Sequence, residues 1–214
     1  MTQFADIPAL TAELNGFAER IATLKLPLRW WKSSFAHDVI DRVFRHLHLT
    51  VPDELRAFYA WSNTFSTEAR EYIPGFGEIE IFGHSVSTYL LCLLNKHGDP
   101  DSNIPSDGDR YRRSWFPLGA VYGERHDVIH AVVLDCDVTP QAASPVYLFS
   151  RTGRPQLIGP SLLDVVQTWN QLLDIGYWSY DPDAHGWSLH PDKIPSGLRA
   201  VAQLAACTTP RRST

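Results

Sequence analysis

Along the first part of the chain the apolar residues recur in steps of three and four. Ile7, Leu10, Leu14, Phe17, Ile21 and Leu24 fall in one stripe, the 3.6-residue period of an amphipathic helix. Asp6 ahead of Pro8 supplies its start, because a short carboxylate accepts from the free amides of the first turn and a proline there sacrifices no bond. The stripe is expected to pack on the protein's own core. Ser34 can cap a second helix whose Phe35, Val39, Ile40, Val43, Phe44 and Leu47 keep the same spacing. A third is expected from Thr50-Val51-Pro52-Asp53-Glu54, with two carboxylates against the positive helix end, closing near Asn63.

The texture then changes. Proline and glycine punctuate Tyr72-Ile73-Pro74-Gly75-Phe76-Gly77, and Glu78 to Phe82 alternates polar and apolar residues, which reads as a half-buried strand with a glutamate face. Ser85 or Ser87 is expected to open a helix through Tyr89 to Leu94. Residues 99–113 form a long polar loop, of the kind that is functional or mobile. Beyond it Ser114–Gly119, Asp127–Leu134 and Val146–Phe149 are short, rich in β-branched and aromatic residues, and read as antiparallel meander strands. Ser161 caps a further helix with Asp164 at the capping-box position, and Gly176 ends it. Tyr177 to Pro195 reads as loop, and Leu198 to Ala206 as a last short helix.

Helices, then strands, then a helix give an α+β fold: a mixed, largely antiparallel sheet flanked by helices. The division expected is a helical extension over 1–34, the α+β domain over 35–178, and a C-terminal loop, short helix and tail over 179–214.

Composition narrows the function. Of 214 residues 44% are hydrophobic and 20% charged, so the chain can bury a core, and a net charge of −5 repels phosphate backbones. Arg110, Arg112 and Arg113, or Arg211 and Arg212, are too few for multi-phosphate contact. Neither nucleic acid nor a membrane is an expected partner. Cys92, Cys136 and Cys207 lie far apart without a C-x-x-C pair, and the first residues lack the basic and apolar regions of a signal peptide. Those features point to the cytoplasm.

Several patterns touch on chemistry. His126 and His130 have a zinc-chelating spacing on a helix, but their segment reads as a strand and lacks the glutamate of metalloproteases. Asp135 and Asp137 can serve acid-base work or simply start the turn into Thr139-Pro140, and the turn is the better account. Asp99-Pro100-Asp101-Ser102-Asn103 opens like a calcium loop, yet Ile104 and Arg110 replace its glycine and its bidentate glutamate. Gly75-Phe76-Gly77 lacks the third glycine of a dinucleotide fingerprint. Cys92 and Cys136 read as buried, inert thiols. No catalytic residue, metal or cofactor is assigned, although a metal-dependent hydrolase using His126, His130 and Asp135 stays open, as does a scaffold using the helix from Ile7 to Leu24.

The order of segments resembles the SUKH superfamily, which includes fungal cell-wall-assembly regulators and many bacterial immunity proteins. The helix from Phe35 leads into Val51-Pro52-Asp53-Glu54-Leu55-Arg56-Ala57-Phe58-Tyr59 and then Trp61-Ser62-Asn63. Tyr72 to Phe76 is similar to the family's first strand, Trp115-Phe116-Pro117-Leu118-Gly119 to its central tryptophan strand, and Val132 to Asp135 to the next. Val146 to Phe149 and the helix from Ser161 complete the order, which spans about Phe35 to Tyr177. The resemblance implies a non-enzymatic domain, monomeric or homodimeric, that captures a protein. In bacteria that protein is a toxin, often a nuclease. Glu78, Glu80, Glu124 and His126 are the expected partner-binding residues, since an acidic surface complements a basic toxin and speeds association.

Overall fold

The computed structural model describes residues 3–24, 37–62, 72–79, 82–94, 111–122, 128–150, 154–181, 186–198 and residue 202. Helix α1 spans Ile7–Thr23, and the Asp6 carboxylate caps it by accepting from the Ala9 amide at 3.0 Å. Leu10, Leu14, Phe17 and Ile21 are buried, so the stripe does pack on the protein's own core. Helices α2 (His37–Leu47) and α3 (Asp53–Ser62) follow at the expected places. The expected cap at Ser34 lies outside the described residues.

Strands β1 (Tyr72–Ile73) and β2 (Gly77–Ile79) form a hairpin whose turn has a clear cause. Pro74 and Gly75 occupy its centre, the Phe76 amide donates to the Ile73 carbonyl at 3.2 Å, and Gly75 has φ +82°, as a type II turn requires. Helix α4 runs from Phe82 to Leu94. It therefore begins three residues before Ser85, and Phe82, read in the sequence as the end of the strand, opens the helix instead.

Strands β3 (Trp115–Tyr122), β4 (Val128–Asp135), β5 (Val146–Ser150) and β6 (Gln156–Gly159) complete a sheet of six in which spatial order equals chain order. Every described ladder in it is antiparallel. The fold is thus α+β. Strand β6 was not legible in the sequence, because Gln156-Leu157-Ile158-Gly159 is short and carries a register shift opposite Val146 and Tyr147. Helix α5 (Leu162–Asp174) is capped by the Ser161 hydroxyl on the Asp164 amide and ends at Gly176, φ +69°, where the Tyr177 amide returns to the Leu172 carbonyl.

The segment from Tyr177 is not the loop that was expected. Strands β7 (Trp178–Asp181) and β8 (Gly186–Leu189) pair as a separate antiparallel hairpin, followed by two single-turn 3-10 helices at Pro191–Lys193 and Ser196–Leu198. Each strand is only four residues long, too short for periodicity alone to reveal. Opposed residues of a ladder share a face, so Trp178, Leu189, Tyr180 and Trp187 form one apolar side, with the two tryptophans buried.

Aromatic rings tie the layers together. Phe116 of β3 meets Phe44 of α2 at 4.7 Å, Tyr89 of α4 at 5.3 Å and Tyr59 of α3 at 6.2 Å between ring centroids. Helix α1 packs against α3 and α5, and its Phe17 meets Trp61 of α3 at 6.5 Å and Phe76 of the β1–β2 turn edge-on at 5.8 Å. No described helix is long and apolar enough to cross a membrane.

Candidate interaction surface

One face of the sheet can be assembled from register alone. Side chains alternate along a strand and directly opposed residues share a side. Pro117, Val133, Tyr147 and Leu157 therefore form one row, and Ala120, Ala131 and Phe149 another on the same side, with Ile129 beyond it on β4. Most of these side chains are buried, but Leu157 is 56% exposed and Ile129 39% exposed.

An aromatic strip runs up to Leu157. The Trp115 indole stacks on the half-buried Tyr147 ring at 5.0 Å and 24°, and the exposed Arg112 guanidinium lies 5.4 Å from the indole centroid. The strip is firmly held from below. The Trp115 indole N–H donates to Asp135 Oδ2 at 3.3 Å, while Asp135 Oδ1 accepts the Asp137 amide at 3.1 Å. Asp135 and Asp137 therefore shape a turn, as the sequence suggested, and Asp135 also fixes the indole. Tyr111 is fully buried beside Trp115 and Phe149, donating its hydroxyl to the Trp115 carbonyl, and burial pushes that phenol well above its ordinary pKa. Arg, Trp and Tyr are the side chains that most often anchor protein interfaces, since they offer large area at low entropic cost. Chemically the strip suits contact rather than bond-making.

Of the expected partner-binding residues, Glu80, Glu124 and His126 lie outside the described residues. Glu78 lies in β2, where its backbone pairs with Ala120. Its register extends the row of Ala120, Ala131 and Phe149. His130 lies on β4 opposite Val121 and Ser150, half-buried, with burial lowering its pKa and, among the described residues, no bond to its Nδ1. Among the described residues no three His, Cys, Asp or Glu side chains gather as a metal site. Cys92 and Cys136 are buried thiols in no disulfide among the described residues, and burial, helped by Asp135, pushes the Cys136 thiol well up, which disfavours the reactive thiolate. Cys207 lies outside the described residues.

Sequence reasoning missed the strip. Trp115 and Tyr147 were visible as strand aromatics, but their stacking depends on a cross-strand register that one chain's periodicity does not fix. It also missed Ser179 and His190, whose Oγ and Nε2 are 2.8 Å apart and tie the β7 and β8 ends together.

No model of a known protein family matches the chain, and no curated protein matches it.

Proposed function

We propose that this is a non-enzymatic protein-binding domain of SUKH type, which acts as a bacterial immunity protein by neutralising a toxin such as a nuclease. The observation that carries the binding reading is the strip of exposed Arg112, half-buried Tyr147 and exposed Leu157, backed by the buried Trp115 indole on which Tyr147 stacks and ending in a leucine that contributes little to the core. The kinship rests on the order of segments from Phe35 to Tyr177. The net charge of −5, with Glu78, Glu80 and Glu124, favours a basic partner and quickens its capture.

The test is co-expression of the tagged chain with the neighbouring reading frame, followed by native recovery. The expected product is one basic polypeptide at near-equal stoichiometry, held by the wild type and released by Glu78→Lys with Glu80→Lys. A preparation that recovers no such polypeptide, or one bound equally well by the charge-reversed chain, counts against this reading.

A further inference from the structure

The loop between β4 and β5 is held by the start of α3 and by the N-terminal segment. The Asp53 amide at the start of α3 donates to the Pro140 carbonyl at 2.8 Å. The Ala5 amide donates to the Gln141 carbonyl and the Ala143 amide to the Gln3 carbonyl, each at 2.9 Å, with Phe4 opposite Ala142, so the N-terminal segment adds a short strand to the loop. The next amide along, Ser144, donates to Glu54 Oε2 at 2.7 Å. The second carboxylate oxygen, Oε1, accepts the Leu163 amide at 3.4 Å in the first turn of α5. One side chain, only 1% exposed, thus joins α3 to segments 90 and 109 residues away.

A buried carboxylate is costly unless something compensates it. Here the compensation is backbone amides and the positive end of α5. Among the described residues no basic side chain pairs with Glu54. Asp164, already bonded to Ser161 at that same helix end, brings a second negative charge. The other charged groups of these elements are Asp53 and Arg56 on α3, the latter paired with Asp41, Asp174 at the far end of α5, Asp6 beyond the N-terminal segment, and Asp135 and Asp137 where β4 runs into the loop. Residues 138–145 of the loop carry none.

We propose that Glu54 is a proton-controlled latch that sets how tightly the β4–β5 loop and the N-terminal strand are held to the body of the domain. When the loop lifts, the carboxylate meets water. When the loop is seated, the carboxylate is desolvated beside Asp164. Burial, ahead of Asp164, raises the seated carboxyl above the usual range, against the opposing pull of the Ser144, Leu163 and Leu162 amides. The seated form therefore binds the proton more tightly than the lifted form. Its extra stability is complete below the pKa of an exposed glutamate and is lost as pH rises through the seated value. Mild acid closes the latch, and ionisation towards neutrality loosens it.

The experiment reads amide hydrogen exchange at Ala5 and Ala143 in the full chain, corrected for intrinsic rate, between about pH 4 and pH 7.5. Protection is expected to rise several-fold on acidification in the wild type and to stay level in Glu54→Gln. Titration of the Glu54 side-chain carboxyl carbon by NMR in the wild type supplies a second reading that needs no variant to fold. It should show a midpoint above that of an exposed glutamate. A midpoint at or below that value, or equal pH dependence of protection in Glu54→Gln, overturns the latch.

Discussion

Arg20 and Asp174 join the last turn of α1 to the last turn of α5 through two bonds, from Nε to Oδ1 at 2.7 Å and from the terminal nitrogen to Oδ2 at 3.0 Å. The two side chains are 37% and 56% exposed, so solvent screens the pair. Arg20→Ala is expected to cost about 0.2–1 kcal/mol in urea unfolding, less at high salt. Asp174 is held below its ordinary range by the bond to Arg20, so the pair's contribution is present above the unfolded aspartate pKa and fades as pH falls through the folded one. A loss that persists undiminished in high salt contradicts this account.

The apolar side of α1 matters far more. Phe17 is buried against Phe76 and Trp61, and Phe17→Ala should cost about 3–5 kcal/mol. Removing residues 1–24 should leave the remainder without cooperative unfolding, as read by circular dichroism during heating. A truncated chain that melts like the full one would show that α1 is dispensable, and would revive the scaffold reading of that helix.

Gly75 tolerates no side chain. A Cβ built there comes 2.6 Å from the Trp169 indole, and φ +82° disfavours any L residue. Gly75→Ala is expected to lower stability by at least about 1–3 kcal/mol from backbone strain alone, with a shift in Trp169 fluorescence. A variant as stable as the parent would mean that the turn re-forms in another geometry.

At the exposed end of the aromatic strip, Leu157→Asp should change stability by no more than about 0.5 kcal/mol, since it removes little buried surface. If the strip is the contact surface, the same change weakens partner capture by at least tenfold, or about 1.4 kcal/mol, in a titration calorimeter. Unaltered affinity would move the contact to another face.

Cys136 should resist an aromatic disulfide reagent in the native state, because its thiol is buried and its thiolate disfavoured. Its modification rate is expected to follow global unfolding as urea is raised. Rapid labelling without denaturant would reveal a local opening at the end of β4.

Long periodic elements were readable from one chain: α1 and α5 appear with the caps that Asp6 and Ser161 announce. Short strands were less so. Strand β6 and the β7–β8 hairpin have four residues per strand, and tertiary pairing rather than local pattern makes them. Glu54 is instructive, because its position in the first turn of α3 suggested service to its own helix end, while its carboxylate in fact reaches the start of α5. Only the fold brings residues 54, 144 and 163 together. The surface strip was illegible for a related reason, since Arg112, Trp115 and Tyr147 converge across a register that the sequence does not encode locally.

The embrace of α1 by α5 has a cost during synthesis. The six sheet strands lie side by side in chain order, so each hairpin can form soon after its second strand emerges from the ribosome. Helix α1 meets α3 early, but its other partner comes late: Arg20 must wait for Asp174, 154 residues later. At roughly 5–20 residues per second that wait is on the order of 10–30 s, during which an apolar stripe has no α5 to cover it. The interval invites chaperones, and it leaves the α5-facing side of the N-terminal helix open until late in synthesis.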